Sequence, residues 1–371
     1  MPRPAIRFLL GLAIFAIPLV SFADEPKLKT ENVIFVMLDG LRWQDVYTGA
    51  EEDLLNKERG GVANVADTKK QFWREKPEER RQVLLPFLWN TVAKEGQLFG
   101  NHQKQSVVSV TNGMCFSYPG YNEILCGFPD PKVNSNAKIL NRNVTVLEWL
   151  HNKPEFKSKV AAFTSWDVFP FIINTERSGI PVNSGMKPLT GVEQTDEVKL
   201  LNRLIVENPF VGETTRHDAL TYHAARIYLK QKKPRVLFVS FDETDEHAHA
   251  GRYDRVLGSA HKADGLIRDL WETAQGMPEY KGKTTLIIST DHGRGGPPLE
   301  WKNHSAKIKG AEFIWAGILG PDTQPLGERE KTDPQTQSQI AATLAASLGF
   351  DYCKDVPQAG KPLPGAIGAG K

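Results

Sequence analysis

The strongest constraint on this 371-residue chain is a set of short apolar runs that lead directly into side chains able to bind a cation. Residues 33–38 (VIFVML) run into Asp39-Gly40, and residues 236–241 (VLFVSF) into Asp242-Glu243-Thr244-Asp245-Glu246-His247-Ala248-His249. Residues 285–289 (TLIIS) run into Thr290-Asp291-His292-Gly293, and His304 follows shortly after. A run apolar at every position suits a strand covered on both faces. Residues 160–163 and 313–318 are further strand candidates. Helical patterns lie between them. Thr145 can cap a helix over 146–151, with Glu148 at the capping-box position. Residues 217–231 and 336–348 read as two more. Residues 253–271 place Tyr253, Val256, Ala260, Ala263, Ile267 and Leu270 on one stripe. Strands spaced by helices predict an α/β fold, a doubly wound and mostly parallel sheet with helices on both faces. Sites in such sheets gather beyond the carboxyl ends of the strands, where these polar residues fall.

The first 23 residues read as a secretory signal. Arg3 and Arg7 precede an apolar stretch over 8–20, and Ser21-Phe22-Ala23 offers small residues for cleavage. That stretch is short for a membrane span of about 20 residues. The mature protein is therefore expected outside the cytoplasm, secreted or periplasmic, with no membrane segment after signal cleavage. Residues 24–356 are expected to form a single catalytic domain and 357–371 a flexible tail. Residues 50–81 read as a charged surface excursion. Residues 169–208, rich in Gly, Pro and Asn, are a candidate small cap insertion. The formal charge of +2 is matched by Arg3 and Arg7 alone. A near-neutral mature chain gives no ground for a nucleic-acid or anionic-membrane partner. Cys115 and Cys126 could bridge in an oxidising compartment, and three unbridged thiols, with Cys353, fit equally well.

An Asp after a strand is ordinarily a turn or a helix cap. Convergence changes that reading, because buried carboxylates crowded at one sheet end repel one another unless cations neutralise them. Carboxylate oxygen and imidazole nitrogen together suit zinc, and manganese less well. Ser117, in Cys115-Phe116-Ser117-Tyr118-Pro119-Gly120-Tyr121, offers a hydroxyl that a cation could turn into a nucleophile. On local sequence alone it is a plain turn.

With VIFVMLDG, SYPGYNEILCG, DEHAH, STDHG and NHS in that order, the chain resembles the alkaline phosphatase superfamily. That group includes nucleotide pyrophosphatase/phosphodiesterases, sulfatases and cofactor-independent phosphoglycerate mutases. The resemblance covers about residues 33–321. It implies an alkaline phosphatase-like fold and an exported metal-dependent hydrolase of small-molecule phosphate esters, either a phosphodiesterase or a phosphatase. It also implies Ser117 as nucleophile, a covalent phosphoseryl intermediate, and two divalent cations, Zn2+ or Mn2+. Carried onto this chain, it assigns Asp39, Asp291, His292 and Ser117 to one cation. It assigns Asp245, His249 and His304 to the other, with Asp242 as substitute for Asp245 and His247 as a bystander. Asn136, with Asn134 as runner-up, is the candidate to hold a phosphoryl oxygen. Trp166 is a candidate substrate contact, although core packing is the commoner fate of a Trp.

Some positions depart from the family patterns. Tyr121 stands where sulfatases carry Arg, and the Phe-Pro-Asn-His that usually follows a phosphodiesterase nucleophile is absent. Monoesterases of this kind often carry a basic pair after the next strand, whereas here no cation follows residues 160–163 before Arg177. The alternatives are a sulfatase-like, phosphotransferase-like or mutase-like member, an inactive metal-binding relative, or an exported binding protein.

Overall fold

The computed structural model of the protein describes residues 1, 2, 4 and 28–368. The expected signal segment, apart from residues 1, 2 and 4, lies outside them. In chain order the strands are β1 (Asn32–Leu38), β2 (Gln97–Phe99), β3 (Val108–Ser109), β4 (Val160–Thr164), β5 (Val182–Ser184), β6 (Val236–Phe241), β7 (Thr284–Ser289), β8 (Phe313–Ile314), β9 (Ala316–Leu319), β10 (Gly327–Glu328) and β11 (Gln335–Thr336). Eight of them form one sheet in the order β10-β2-β9-β7-β1-β6-β4-β5. From β7 through β5 every pairing is parallel, and β9 runs antiparallel to both of its neighbours. β11, β3 and β8 form a small second sheet.

The apolar runs are central because both of their faces need cover. All seven residues of β1 are buried. Ile34, Val36 and Leu38 share one core layer with Val256, Ala260, Ala263, Ile267 and Leu270 of the helix Tyr253–Gln275. Val33, Phe35 and Met37 face the opposite layer, with Ile124, Leu147 and Leu344 from three other helices. Alternation along one strand thus puts helices on both faces of the sheet, as the sequence predicts. Thr145 caps the helix Val146–His151, accepting from the Glu148 amide at 3.2 Å. The Glu148 side chain is engaged by Arg177 at 2.8 Å.

Three local expectations need revision. The run 313–318 is not one strand. Trp315, whose indole N–H donates to the Leu41 carbonyl, separates β8 in the small sheet from β9 in the large one. Residues 169–208 do not form a cap. They supply the edge strand β5 and the amphipathic helix Asp196–Glu207, which buries Val198, Leu201 and Ile205. The tail packs on the domain as far as it is described. Leu363 and Ala366 are buried, Leu363 N–H donates to Thr343 Oγ1, and Gly360 N–H donates to the Gly127 carbonyl. Pro and Gly content lowers helix and strand propensity, but it does not prevent an irregular segment from docking. No helix among the described residues is long and apolar enough to cross a membrane. All three cysteines are free thiols, Cys115 and Cys126 buried and Cys353 half-buried.

Candidate active site

Strand register delivers the site. Leu38 pairs with Phe241, and Met37 pairs with Ser289. The three parallel strands therefore end level, and Asp39, Asp242 and Asp291 leave them side by side. Gly40 turns the chain just after Asp39 with φ +58°. A Cβ there would lie 2.7 Å from Asp245 Oδ1 and 2.9 Å from Arg294 Nε, so glycine is required on both counts.

Ser117 is the first residue of the helix Ser117–Cys126. Gly120 lets that helix approach the β7 end, since a Cβ would sit 2.4 Å from the Asp291 carbonyl oxygen. The preceding Cys115 holds φ +54°, a left-handed conformation costly for a residue with a side chain. The loop before it is pinned to keep that shape. Asn112 Oδ1 accepts from the amides of Met114 and Cys115. The fully buried Glu123 carboxylate accepts from the Thr111 and Asn112 amides and from the Thr111 and Ser338 hydroxyls.

Two groups of ligand atoms, each within 4.8 Å of one another, form here: Asp39–Asp291–His292 and Asp245–His292–His304. His292 Nε2 lies 3.4 Å from Asp39 Oδ1 and 3.5 Å from Asp291 Oδ2, against 3.8 Å from Asp245 Oδ1. Those distances place it with the first group. His249 Nε2 joins the second, 3.2 Å from Asp245 Oδ2 and 2.9 Å from His304 Nε2. Ser117 Oγ is 3.5 Å from His292 Nε2. The structure thus brings together all seven residues assigned to the site by resemblance.

The imidazoles of His292, fully buried, and His304, half-buried, are oriented through the nitrogen that faces away from the cluster. His292 Nδ1 donates to the Gly293 carbonyl and His304 Nδ1 to the Cys115 carbonyl, each at 3.0 Å. A carbonyl can only accept, so each Nδ1 carries the proton and each Nε2 keeps a lone pair for a ligand. Burial depresses His304 to about 4 and holds His292 well below the usual imidazole range, so both are neutral near pH 7. Burial, then Asp291 and Asp245, pushes Asp39 well above the usual carboxylate range. Burial, then Asp245, does the same to Asp291, and burial, then Asp39, to Asp242. Asp245 goes the other way. Burial opposes its charge, but Arg294 foremost, with His249 and His304, outweighs that and holds it well below its usual range.

The donor set fits divalent cations. Asp39 Oδ1 and Asp291 Oδ2 are buried with no hydrogen-bond partner among the described residues, each 3.4 to 3.5 Å from the same imidazole nitrogen. Orphaned buried carboxylate oxygens are costly, and a cation at that point satisfies both. The raised Asp39, Asp242 and Asp291 carboxyls stabilise the metal-free fold fully below their unfolded pKa, and that stability is lost as pH rises through their folded values. His304 acts oppositely, losing stability as pH falls from 6.5 towards 4. Above about pH 6.5 the histidines are neutral in both states and only the carboxyls contribute. Metal binding competes with protons at these carboxyls. Calorimetric titration with zinc, in two buffers of different ionisation enthalpy, should show net proton release that grows as pH is lowered from 8 to 6. Heats independent of the buffer would contradict this.

Three contributors were not legible from the sequence. Arg294, 1% exposed, pairs with Asp245 Oδ1 and donates to the Lys302 carbonyl. Tyr121, noted only as a departure from the sulfatase pattern, donates its hydroxyl proton to Asp39 Oδ2 at 2.9 Å. Lys138 reaches the cavity from an irregular loop and pairs with Asp167 at 2.6 Å. The cavity has a volume of about 510 Å³ and is lined by Ser117, Asn136, Lys138, Trp166, Glu213, Asp242, Glu246, His249 and His304, among others. Asn136 Oδ1 accepts from the Tyr118 amide at 3.0 Å, which leaves its NH2 as the donor available to a ligand. Asn134 lines a different pocket, and Arg177 is committed to Glu148 and to backbone carbonyls. Asp242 accepts from Thr215 Oγ1 at 2.6 Å in the cavity wall, and His247 is not among the lining residues. Trp166 is half-buried, with its edge to Phe169 and one face of the cavity beside it.

The mostly parallel sheet carries this Asp/His constellation beyond its carboxyl end, in agreement with the resemblance to the alkaline phosphatase superfamily. Within it, residues 51–297 match the family described as type I phosphodiesterase / nucleotide pyrophosphatase, and the chain belongs to that family. The matched stretch includes Ser117, Asp245, His249, Asp291 and His292. Among curated proteins, none matches the chain in sequence. Solved structures share the fold at low identity. Wild-type alkaline phosphatase PafA superposes with a TM-score of 0.57 at 12% identity, covering 93% of this chain and 100% of that one. The 2-O GAG sulfatase BT1596 gives 0.51 at 12%, covering 91% and 74%. The lipoteichoic acid synthase LtaP from Listeria monocytogenes gives 0.51 at 12%, covering 87% and 72%.

Proposed function

We infer that the protein is an exported hydrolase of small-molecule phosphate esters that works through a phosphoseryl intermediate on Ser117 at a site for two divalent cations, Zn2+ or Mn2+. The observation that carries this reading is the position of Ser117 Oγ, 3.5 Å from His292 Nε2 and on the wall of the cavity that holds Asp245, His249 and His304. Asp39, Asp291 and His292 would hold one cation, and Asp245, His249 and His304 the other. Such a pair lowers the pKa of a nearby hydroxyl, withdraws charge from phosphoryl oxygens and stabilises the leaving oxygen.

The chain's own residues do the rest. The Ser117–Cys126 helix presents the hydroxyl in a fixed position, and the Asn136 NH2 is placed to hold a phosphoryl oxygen. Tyr121 and Arg294 orient Asp39 and Asp245. The ester bond breaks as Ser117 Oγ takes the phosphoryl group, and water then cleaves the phosphoseryl bond to regenerate the hydroxyl. Trp166 offers an aromatic face to the leaving group. The basic start and apolar stretch of residues 3–20 support export.

Turnover of aryl phosphate, phosphodiester and sulfate esters with added zinc or manganese tests the reading. Phosphate-ester hydrolysis with phosphoserine trapped at position 117 agrees with it, and hydrolysis of sulfate esters alone contradicts it. His304→Ala should lower bound metal by about one equivalent per chain while the other site stays filled. Unchanged stoichiometry by elemental analysis would move that ligand elsewhere.

A further inference from the structure

Among the described residues that line the cavity, Lys138 is the one lysine or arginine, against the carboxylates of Asp242, Asp245, Glu246 and Glu213. It stands two residues beyond Asn136, whose side chain is fixed to the Tyr118 amide beside the nucleophile. The same short loop thus places a phosphoryl-oxygen donor and a cation at one wall. The Lys138 ammonium is not free. It is held by Asp167 Oδ2 at 2.6 Å, and Asp167 follows β4 directly after Trp166. The other oxygen, Asp167 Oδ1, is buried without a hydrogen-bond partner among the described residues. Neither residue entered the reaction described above.

We propose that the Lys138–Asp167 pair is a charge gate that sets which phosphate esters the site takes, favouring monoanionic diesters over dianionic monoesters. This rests on the reading of the cavity as a phosphate-ester site. Asp39, Asp242, Asp245, Asp291 and an ionised Ser117 carry five negative charges, which Arg294 and two divalent cations cancel. A diester adds one negative charge, whereas a monoester above its second pKa of about 6 adds nearly two. The second charge needs a positive group. Lys138 is in place to supply it, and Asp167 neutralises it. Specificity of this kind comes from the charge withheld as much as from the contacts made.

The pair allows a closed set of variants. Its net charge is zero in the wild type, +1 in Asp167→Asn, −1 in Lys138→Met and zero again in the double variant. The experiment measures kcat/KM for an aryl phosphate monoester and the matching diester at pH 8, and the dissociation constant of inorganic phosphate by calorimetry, for all four zinc-loaded proteins. The monoester-to-diester ratio should rise about tenfold in Asp167→Asn, fall about tenfold in Lys138→Met, and return to within about threefold of wild type in the double variant, each tenfold step being one unit of charge discrimination. Inorganic phosphate should bind about tenfold tighter to Asp167→Asn. Should the Asn variant fold poorly, Asp167→Ser carries the same charge change. A ratio that stays put across the set, or that falls equally in both single variants, would overturn the gate. Absence of ester turnover in every protein, with the phosphate shift intact, would retain the gate and remove the hydrolase reading instead.

Discussion

Ser117→Ala should lose at least about four orders of magnitude in phosphate-ester turnover while keeping its full complement of metal, because a nucleophile acting as one member of a catalytic unit carries most of that unit's rate. The structure explains why the two effects separate. Ser117 is the first residue of its helix, and its hydroxyl has one side-chain neighbour within hydrogen-bonding range, His292 Nε2 at 3.5 Å. The carboxylates and imidazoles are positioned by other groups: Tyr121 on Asp39, Gly40 N–H on Asp291, Arg294 on Asp245 and backbone carbonyls on His292 and His304. Removing Oγ leaves all of these in place. Steady-state rates together with elemental analysis decide the matter. Near-normal hydrolysis would refute the nucleophile, and loss of metal along with activity would mean that Ser117 is chiefly a ligand.

The second large effect has opposite signs with and without metal. Asp291→Asn should remove about one metal equivalent and at least about three orders of magnitude of activity, since Asp291 is one of three side chains in its group. Yet the metal-free protein should become more stable, by about 1–3 kcal/mol. Asp39, Asp242, Asp245 and Asp291 crowd one end of the sheet, and burial with mutual repulsion holds three of them well above their usual range. An Asn keeps the acceptor for Gly40 N–H and brings an NH2 to the side where Asp39 Oδ1 and Asp291 Oδ2 both lack partners. Thermal melts with chelator and with zinc measure both signs. A variant less stable than wild type in chelator would show that the crowding is relieved some other way in the metal-free chain.

The parts of this site that the sequence reveals are those tied to strand ends. Apolar runs such as VIFVML and VLFVSF suit strands buried on both faces, and their last residues fix where Asp39, Asp242 and Asp291 emerge. Parallel register then brings them level, so the convergence of Asp39, Asp291 and His292 follows from local pattern plus a fold rule. Tyr121, Arg294 and Lys138 have no such anchor. Tyr121 is one apolar-looking position of a buried helix, and its hydroxyl finds Asp39 across more than eighty residues of chain. Arg294 is a single basic residue in a loop, charged yet 1% exposed because Asp245 receives it. Lys138 lies in a segment without periodicity, where nothing in the sequence sets direction. The misread stretches share that cause. Trp315 splits an apolar run because its indole is drawn to the Leu41 carbonyl, and the Pro- and Gly-rich tail packs through Leu363 and Ala366.

The proposed function requires two cations at the carboxyl end of the sheet, one on each set of ligands. Anomalous diffraction at the zinc absorption edge, from crystals of the zinc-equilibrated protein, tests it directly. Two peaks are expected, one bounded by Asp39, Asp291 and His292 within reach of Ser117 Oγ, the other by Asp245, His249 and His304. No peak at this end of the sheet, or zinc bound only elsewhere on the surface, would contradict it.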